Sequence, residues 1–301
     1  MRMLAASITP TGPERTGYAD VPGGRVWWRM DGVRHLRSTR APLIAIHGGP
    51  GGSHDYLLPL TKLSEERTII LYDQLDCGES DKPNDPANWT VDRFVAEVDA
   101  LRRALEIERC ILLGHSWGGL IAVEYAARGA PGLEGAIFAS ALISTPRWVA
   151  DNAAHRAVLP IDVQITLDRH EQAGTTSSPD YQAALGVLMK RHFCRMDTEP
   201  AEIARLFRNM NGKLYRTLWG EVEFACTGTL SDYDGSALLP RIGVPSLFVC
   251  GEFDESTSMA NRDFASLTPN SKVSIIPGAS HMPMFENPTA FLTALRWFCG
   301  A

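Results

Sequence analysis

The hexapeptide Gly-His-Ser-Trp-Gly-Gly at positions 114–119 constrains this chain more than any other segment. It directly follows the apolar run 110–113 and directly precedes the helix-like stretch 120–127. A strand, a tight turn with glycines two residues on either side of a serine, and a helix form the layout of a nucleophile elbow. We therefore predict that Ser116 is a nucleophile held in a strained turn at a sheet edge. The alternative is an ordinary glycine-flanked helix N-cap.

Short apolar runs alternate with helical patterns along most of the chain. The runs lie at 43–47, 68–72, 110–113, 135–139 and 246–250. Apolar strands separated by amphipathic helices, such as 91–106, indicate a parallel sheet covered on both faces. The sequence thus predicts an α/β fold with a mostly parallel, doubly wound sheet.

The alternation of strands and helices breaks between about 142 and 239, where the chain becomes helical. We interpret 142–239 as a helical cap inserted into a core formed by 1–141 and 240–301. The cap is expected over the carboxyl edge of the sheet, where open α/β sheets place their sites.

A serine nucleophile needs a base, and the base needs an orienting acid. Asp254 follows the apolar run 246–250, and His281 follows the strand-like stretch 273–276. Both residues lie just after strands, at the sheet edge where the active site is expected. We therefore predict Asp254 as the acid and His281 as the base. Glu252 and Glu255 are the rival acids.

A glycine-rich segment, His-Gly-Gly-Pro-Gly-Gly at 47–52, follows the first of the parallel runs. Its backbone N–H groups are candidates for an oxyanion hole, with Gly49 and the residue after the nucleophile, Trp117, as the two donors. The other interpretations are a tight turn and a phosphate loop, and the latter fails because no Gly-Lys-Ser/Thr follows. No metal-ligand spacing involves the nearby histidines, so we expect neither a metal nor a cofactor.

Composition limits the partners and the compartment of this 301-residue chain. Its formal net charge is −6 and it has no basic patch, so nucleic acid is not an expected partner. The six cysteines are scattered without C-x-x-C spacing and are expected to be reduced. We find neither a secretory signal nor an apolar stretch of membrane length, and we expect a cytoplasmic protein without membrane contact.

Three segments together resemble the prolyl aminopeptidase (proline iminopeptidase) family of α/β-hydrolases. They are His-Gly-Gly-Pro-Gly at 47–51, Asp-Gln-Leu-Asp-Cys-Gly-Glu-Ser at 73–80 and the hexapeptide at 114–119. The resemblance runs from about residue 15 to 299 and implies an α/β-hydrolase fold with Ser116, Asp254 and His281 as the triad. It further implies that Glu223, from the cap, and Glu255 bind the free α-ammonium of the substrate. The glutamates would otherwise be an exposed cap carboxylate and a solvated loop charge.

Two positions depart from the family pattern. Asp76 stands where the family usually has glycine, and aspartate tolerates left-handed backbone but adds a charge that would matter if its loop borders the pocket. The stretch Glu-Ser-Thr-Ser at 255–258 replaces the more usual Glu-x-Thr-Pro. Both departures leave the preferred first residue open.

The sequence therefore predicts a serine aminopeptidase or aminoacyl amide hydrolase. Its expected substrates are small peptides, amino-acid amides or aminoacylated small molecules, with proline or another small apolar residue first. The alternatives are a carboxylesterase or carbon–carbon hydrolase indifferent to amines, and a non-catalytic receptor built on the same fold. Four aromatic side chains of the cap are candidate walls of the pocket for the first residue: Trp148, Phe193, Trp219 and Phe224.

Overall fold

The computed structural model describes residues 12–300, and the strands of this part form one eight-stranded sheet. The strands are β1 (Arg15–Val21), β2 (Gly24–Asp31), β3 (Leu43–Ile46), β4 (Ile69–Tyr72), β5 (Cys110–His115), β6 (Leu133–Ala139), β7 (Ser246–Gly251) and β8 (Ser271–Ile276). Their spatial order is β1-β2-β4-β3-β5-β6-β7-β8. The pairs β1–β2 and β2–β4 are antiparallel and the others are parallel, which confirms the predicted sheet.

Helices follow most of the parallel strands. They are α1 (Val91–Ala104), α2 (Trp117–Ala127), α3 (Thr145–Ala157), α4 (Ile161–Gln172), α5 (Pro179–Leu188), α6 (Ala201–Asn209), α7 (Gly212–Leu218), α8 (Ser258–Leu267), α9 (Pro283–Glu286) and α10 (Pro288–Gly300). A 3₁₀ segment spans His54–Glu65 and a π-helical turn spans Met189–Phe193. Helix α1 begins where the Thr90 side chain accepts a hydrogen bond from the Arg93 N–H, and it ends two residues earlier than the predicted 106.

The sheet is buried on both faces because its central strands are apolar at nearly every position. In β3, Ile44 and Ile46 pack into a cluster with α1 and α2. Leu43 and Ala45 point the other way, into a cluster with the 3₁₀ segment and α10. Each fully buried leucine or isoleucine contributes about 1.5–3 kcal/mol, so this double burial is a main source of the stability of the fold.

Helices α3 to α7 lie between β6 and β7 in the chain, as expected for the cap. They bury a small cluster of their own that includes Leu159, Leu167, Tyr181 and Phe224. We keep the name cap for residues 142–239, and its boundaries stay a prediction. Among the described residues, no helix is both long and apolar enough to cross a bilayer.

Candidate active site

Ser116 lies in the turn between β5 and α2, with φ 55° and ψ −124°. A positive φ costs a non-glycine residue about 1–3 kcal/mol, so the surroundings must enforce it. The two flanking glycines make this possible. A Cβ on Gly114 would collide with the Gly118 carbonyl, and one on Gly118 would collide with the Ile46 carbonyl of β3. The elbow predicted from the hexapeptide is therefore present as a local structure.

Asp254 and His281 meet at the carboxyl edge of the sheet, on the loops after β7 and β8. The His281 Nδ1 is 2.8 Å from the Asp254 Oδ1. The Asp254 carboxylate also accepts hydrogen bonds from the Ser140 hydroxyl at 2.6 Å and from the backbone N–H groups of Gly251 and Ser256. Burial alone would raise the pKa of Asp254, but His281 and these donors lower it below its usual range.

The two rival acids have other surroundings. Glu252 accepts a hydrogen bond from the Gly278 N–H near the surface, and Glu255 lines the cavity described below. Burial would lower the pKa of His281, yet the negative charges of Asp254, Glu255 and Glu223 together raise it above its usual value. The structure thus pairs His281 with Asp254 and surrounds the pair with further carboxylates.

Ser116 and His281 both line a cavity of about 160 Å³ between the sheet edge and the cap. The His281 ring is held by Trp148 and Phe193 of the cap, each with its ring centroid 5.6 Å away. Within residues 12–300, no hydrogen bond joins the Ser116 hydroxyl to His281. Such a contact commonly tightens only when substrate binds, so the two groups share the site without yet being bonded.

The predicted oxyanion donors lie beside Ser116. A Cβ on Gly48 would be only 2.8 Å from the Ser116 Cβ, which brings the glycine-rich loop directly against the nucleophile. Gly49 has φ 126° and lines the cavity. In the part of the chain that the structure describes, the backbone N–H groups of Gly49 and Trp117 have no hydrogen-bond partner. Two free donors next to the serine are what an oxyanion hole requires.

Gln74 of the Asp-Gln segment forms hydrogen bonds to both segments that carry the predicted oxyanion donors. Its side-chain Nε2 donates to the His47 carbonyl at 2.9 Å, and its Oε1 accepts from the Trp117 indole at 2.9 Å. His47 is fully buried, and its Nε2 accepts from the Gln74 backbone N–H. Gln74 therefore sets the spacing between the glycine-rich loop and the elbow.

Glu223 and Glu255 both line the cavity, as the resemblance implies. The Glu223 Oε2 accepts a hydrogen bond from the Tyr215 hydroxyl at 2.7 Å. Glu255 is buried, and among the described residues its Oε1 has no hydrogen-bond partner. Burial raises the pKa of both carboxyl groups, and the charge of Glu223 raises that of Glu255 further. Without a cation, burial thus favours the protonated form of both groups, and an ammonium placed between them would favour the carboxylate form.

Three of the four candidate wall residues line the cavity: Trp148, Phe193 and Trp219. Phe224 does not, because it packs into the cluster inside the cap. The proposal that Phe224 forms the pocket was therefore wrong. Aliphatic, thioether and aromatic side chains complete the apolar lining: Leu142, Met189, Leu206, Phe207, Met210 and Met282.

Asp76 adopts the expected left-handed backbone, with φ 68°, but it does not line the cavity. Its carboxylate accepts hydrogen bonds from the Asn84 N–H at 2.6 Å and from the Trp89 indole at 2.8 Å. The charge of Asp76 is thus satisfied by the neighbouring loop. It has no direct effect on the polarity of the pocket.

Sequence analysis missed a hydrogen-bonded chain behind the nucleophile. The Tyr56 hydroxyl accepts from the Gly48 N–H at 2.5 Å and lies 3.0 Å from the His115 Nδ1. The His115 Nε2 lies 2.9 Å from the His281 carbonyl, which can only accept, so Nε2 carries the proton and Tyr56 donates to Nδ1. Burial, followed by the charge of His281, lowers the pKa of His115 to about 3 and keeps it neutral.

Comparisons with known proteins agree with this architecture. The model of the family described as alpha/beta hydrolase fold matches residues 41–288. A proline iminopeptidase of Heyndrickxia coagulans is 38% identical over 285 residues, which cover 94% of this chain and 97% of that protein.

Solved structures give the same result. The crystal structure of VinJ superposes with a TM-score of 0.92 at 36% identity and covers 96% of this chain and 99% of that one. The crystal structure of a proline iminopeptidase of Mycobacterium smegmatis gives a TM-score of 0.88 at 34% identity, with 95% and 98% covered. This chain is therefore a hydrolase that belongs to the proline iminopeptidase family of the α/β-hydrolases.

Proposed function

We propose that this enzyme releases an N-terminal apolar residue, proline included, from substrates that carry a free α-amino group. Small peptides, amino-acid amides and aminoacylated small molecules all present such a group beside a scissile carbonyl. The observation that carries the proposal is the pair Glu223 and Glu255 in the cavity that Ser116 lines. Relatives of 31–38% identity carry the name proline iminopeptidase, which supports the same activity.

The substrate ammonium is proposed to bind between the two glutamates. An ammonium offers donors to both carboxylates and neutralises the charge that burial makes costly, each charge-assisted hydrogen bond being worth about 1.5–3 kcal/mol. An N-acetylated substrate has no positive charge and would leave the carboxylates unpaired. The pair therefore selects for a free amine and fixes the distance from that amine to the reacting carbonyl.

Catalysis then follows the serine-triad mechanism. The Ser116 Oγ attacks the carbonyl carbon of the first residue while the His281 Nε2 takes its proton. Asp254 keeps the His281 ring oriented and stabilises the imidazolium. The N–H groups of Gly49 and Trp117 donate to the oxyanion, and His281 returns the proton to the leaving amine. A water molecule, deprotonated by His281, releases the amino acid from Ser116 in the second half of the reaction.

Trp148, Phe193 and Trp219 form the proposed pocket for the first side chain. Their flat apolar surfaces and the small volume of the cavity favour a compact apolar residue such as proline over a charged or extended one. A residue preceding the first one would replace the ammonium by an amide, which has no positive charge to offer the two glutamates. This arrangement suits release of single residues from the N-terminus.

The test compares arylamides of proline, alanine, leucine and phenylalanine with their N-acetylated forms and with nitrophenyl esters, using Ser116→Ala as the blank. We expect hydrolysis of the free-amine arylamides and a loss of at least about 100-fold on acetylation, from the lost charged contacts. Equal turnover of acetylated and free substrates, or turnover of esters alone, would identify a carboxylesterase or carbon–carbon hydrolase instead. No turnover of any substrate above the blank would favour a receptor.

A further inference from the structure

Two histidines of the cap lie against the loops that carry Asp254 and His281. His155 belongs to α3, and His192 belongs to the π-helical turn Met189–Phe193. Their rings are stacked, with centroids 3.8 Å apart and an interplanar angle of 22°. Neither ring is part of the proposed nucleophile, oxyanion hole or glutamate pair. The position of the two rings beside the acid loop therefore points to a different role.

Each ring binds a backbone carbonyl next to the acid of the triad. The His192 Nδ1 lies 2.8 Å from the Phe253 carbonyl, and the His155 Nε2 lies 3.2 Å from the Asp254 carbonyl. Carbonyl oxygens only accept, so His192 must be protonated on Nδ1 and His155 on Nε2. Two successive carbonyls of the acid loop are thus held by two stacked rings of the cap.

The same turn of the cap also holds the base. The backbone N–H of His281 donates to the His192 carbonyl at 3.0 Å. One cap residue, His192, therefore contacts the acid loop through its ring and the base loop through its main chain. Its neighbour Phe193 adds ring contact with His281. The cap thus joins the loops after β7 and β8, in addition to direct contacts between them, which include the Asp254–His281 hydrogen bond and the hydrogen bond from the Phe253 N–H to the Ala279 carbonyl at 2.9 Å.

We propose that His155 and His192 are positioning residues that hold the Asp254 and His281 loops at the separation that catalysis needs. The inference rests on the proposed function only in taking Asp254 and His281 as acid and base. The cap would then support the acid and base loops as well as cover the substrate. A shift of about 1 Å between reacting groups can cost about 100-fold in rate, so two hydrogen bonds at this point have a large effect.

The lowered pKa of His192 agrees with this positioning role. His192 is buried, and burial, then the charges of His155, Arg191 and Arg195, lower its pKa, while the Phe253 hydrogen bond works in the opposite direction. A neutral His192 ring can donate to the Phe253 carbonyl and stack on the His155 ring, and it adds no positive charge to the acid loop.

The test separates loss of the donor from loss of the ring. His192→Phe and His155→Phe keep an aromatic ring for stacking but remove the N–H. His192→Asn keeps a donor near the position of Nδ1, and His155→Gln keeps one near the position of Nε2. His170→Phe is the control, because within the described residues the ring of this cap histidine has its hydrogen bonds and its aromatic contact with other cap residues: Arg169, Thr175, Ser178 and Tyr181. Turnover of a nitrophenyl ester and of an aminoacyl arylamide gives kcat and KM for each variant.

Each phenylalanine variant should lower kcat by about 10- to 100-fold on both substrates with little change in KM. The asparagine and glutamine variants should recover most of that loss, and His170→Phe should match wild type. Four titratable groups face His281: Asp254, Glu255, Glu223 and His115. When the acid loop is released, Asp254 raises the pKa of His281 less, so the acidic limb of the kcat/KM profile should move to lower pH.

Wild-type kcat and an unchanged pH profile in both phenylalanine variants would overturn the proposal. So would a loss of kcat that the donor-retaining variants do not restore. If His192→Phe fails to fold, His155→Phe alone decides, since its ring is only half-buried. Failure of the proposed function looks different: wild type would then hydrolyse the arylamide no faster than Ser116→Ala.

Discussion

Asp254 and Glu255 are neighbours in the chain, but the structure gives their carboxylates opposite surroundings. Asp254 accepts four hydrogen bonds, one of them from His281. Glu255 is equally buried, and within the described chain its Oε1 accepts none. The first carboxylate is satisfied by the protein and is suited to orient a base. The second belongs to a residue that lines the cavity and is suited to bind a cation that the substrate brings.

Replacing the nucleophile tests the elbow. We expect Ser116→Ala to lower kcat by about 10⁴-fold or more, because removing one member of a triad disables the whole unit. The measurement is arylamide hydrolysis, together with labelling by a fluorophosphonate probe. Wild type should form an adduct on Ser116 and the variant none. Undiminished activity in the variant would exclude Ser116 as the nucleophile.

Removing one charge of the glutamate pair should affect amines selectively. Glu223→Gln is expected to lower kcat/KM for free-amine arylamides by about 10- to 100-fold, from one lost charged contact. Hydrolysis of a nitrophenyl ester should change little. Glu252→Gln is the matched control, since that carboxylate binds the Gly278 N–H outside the cavity. Equal losses on both substrates would mean that Glu223 supports the fold or the triad.

Glu255 should make the protein less stable as pH rises from its ordinary pKa of 4.5 to its raised pKa of about 8. Its pKa is raised by burial and by Glu223, so the native state keeps a proton that the unfolded chain releases above its ordinary value of 4.5. In that window the unfolded state binds fewer protons, and stability therefore falls as pH rises, by about 1.4 kcal/mol per pH unit for this group. Glu255→Gln removes this loss.

Urea denaturation of Glu255→Gln and wild type at about pH 5 and about pH 8 checks the sign, with the linkage slope as the measured quantity. The free energy of unfolding of the variant should exceed that of wild type more at the higher pH. A difference that stays constant with pH would show that Glu255 titrates normally in the native protein. The same variant should hydrolyse free-amine substrates more slowly, so the gain in stability accompanies a loss of function.

The buried hydroxyl of Tyr56 should matter to both stability and rate. Tyr56→Phe leaves the Gly48 N–H and the His115 Nδ1 without a partner, which is expected to cost about 1–3 kcal/mol in the free energy of unfolding. We also expect a lower kcat, because Gly48 packs against Ser116. Tyr72→Phe is the control. In the described structure its buried hydroxyl has no hydrogen-bond partner, so its removal should leave stability unchanged or raise it. Equal effects of the two substitutions would contradict a role for the Tyr56 hydroxyl in the hydrogen bonds behind the nucleophile.

The placement of the three predicted triad residues at one edge of the sheet has a local origin. Ser116, Asp254 and His281 each follow a strand within a few residues, and parallel strands bring their carboxyl ends to one edge. That these three residues lie near one another could therefore be expected from the strand pattern alone, without knowledge of long-range contacts. Strand β1 was not expected, because it is a polar edge strand that alternates only weakly between buried and exposed residues.

The missed and mistaken assignments depend on packing that no local pattern records. Phe224 directly follows Glu223, yet Glu223 lines the cavity and Phe224 packs into the interior of the cap. Tyr56 and His115 are separated by 59 residues, and nothing in either segment indicates the other as its partner. Asp76 could be expected to adopt a left-handed backbone, but its hydrogen bond to Trp89 is a tertiary contact.

The hydrogen bonds from His155 and His192 to the acid loop bear on how substrate reaches the cavity. If the cap moved away as a hinged lid, its hydrogen bonds to Phe253, Asp254 and His281 would break, and the acid and base loops would lose this support. Exchange that keeps these hydrogen bonds would depend on rotation of side chains that line the cavity and also reach solvent, such as Phe207, which is 44% exposed. The rotamers of those side chains would then set the upper size limit of the substrate.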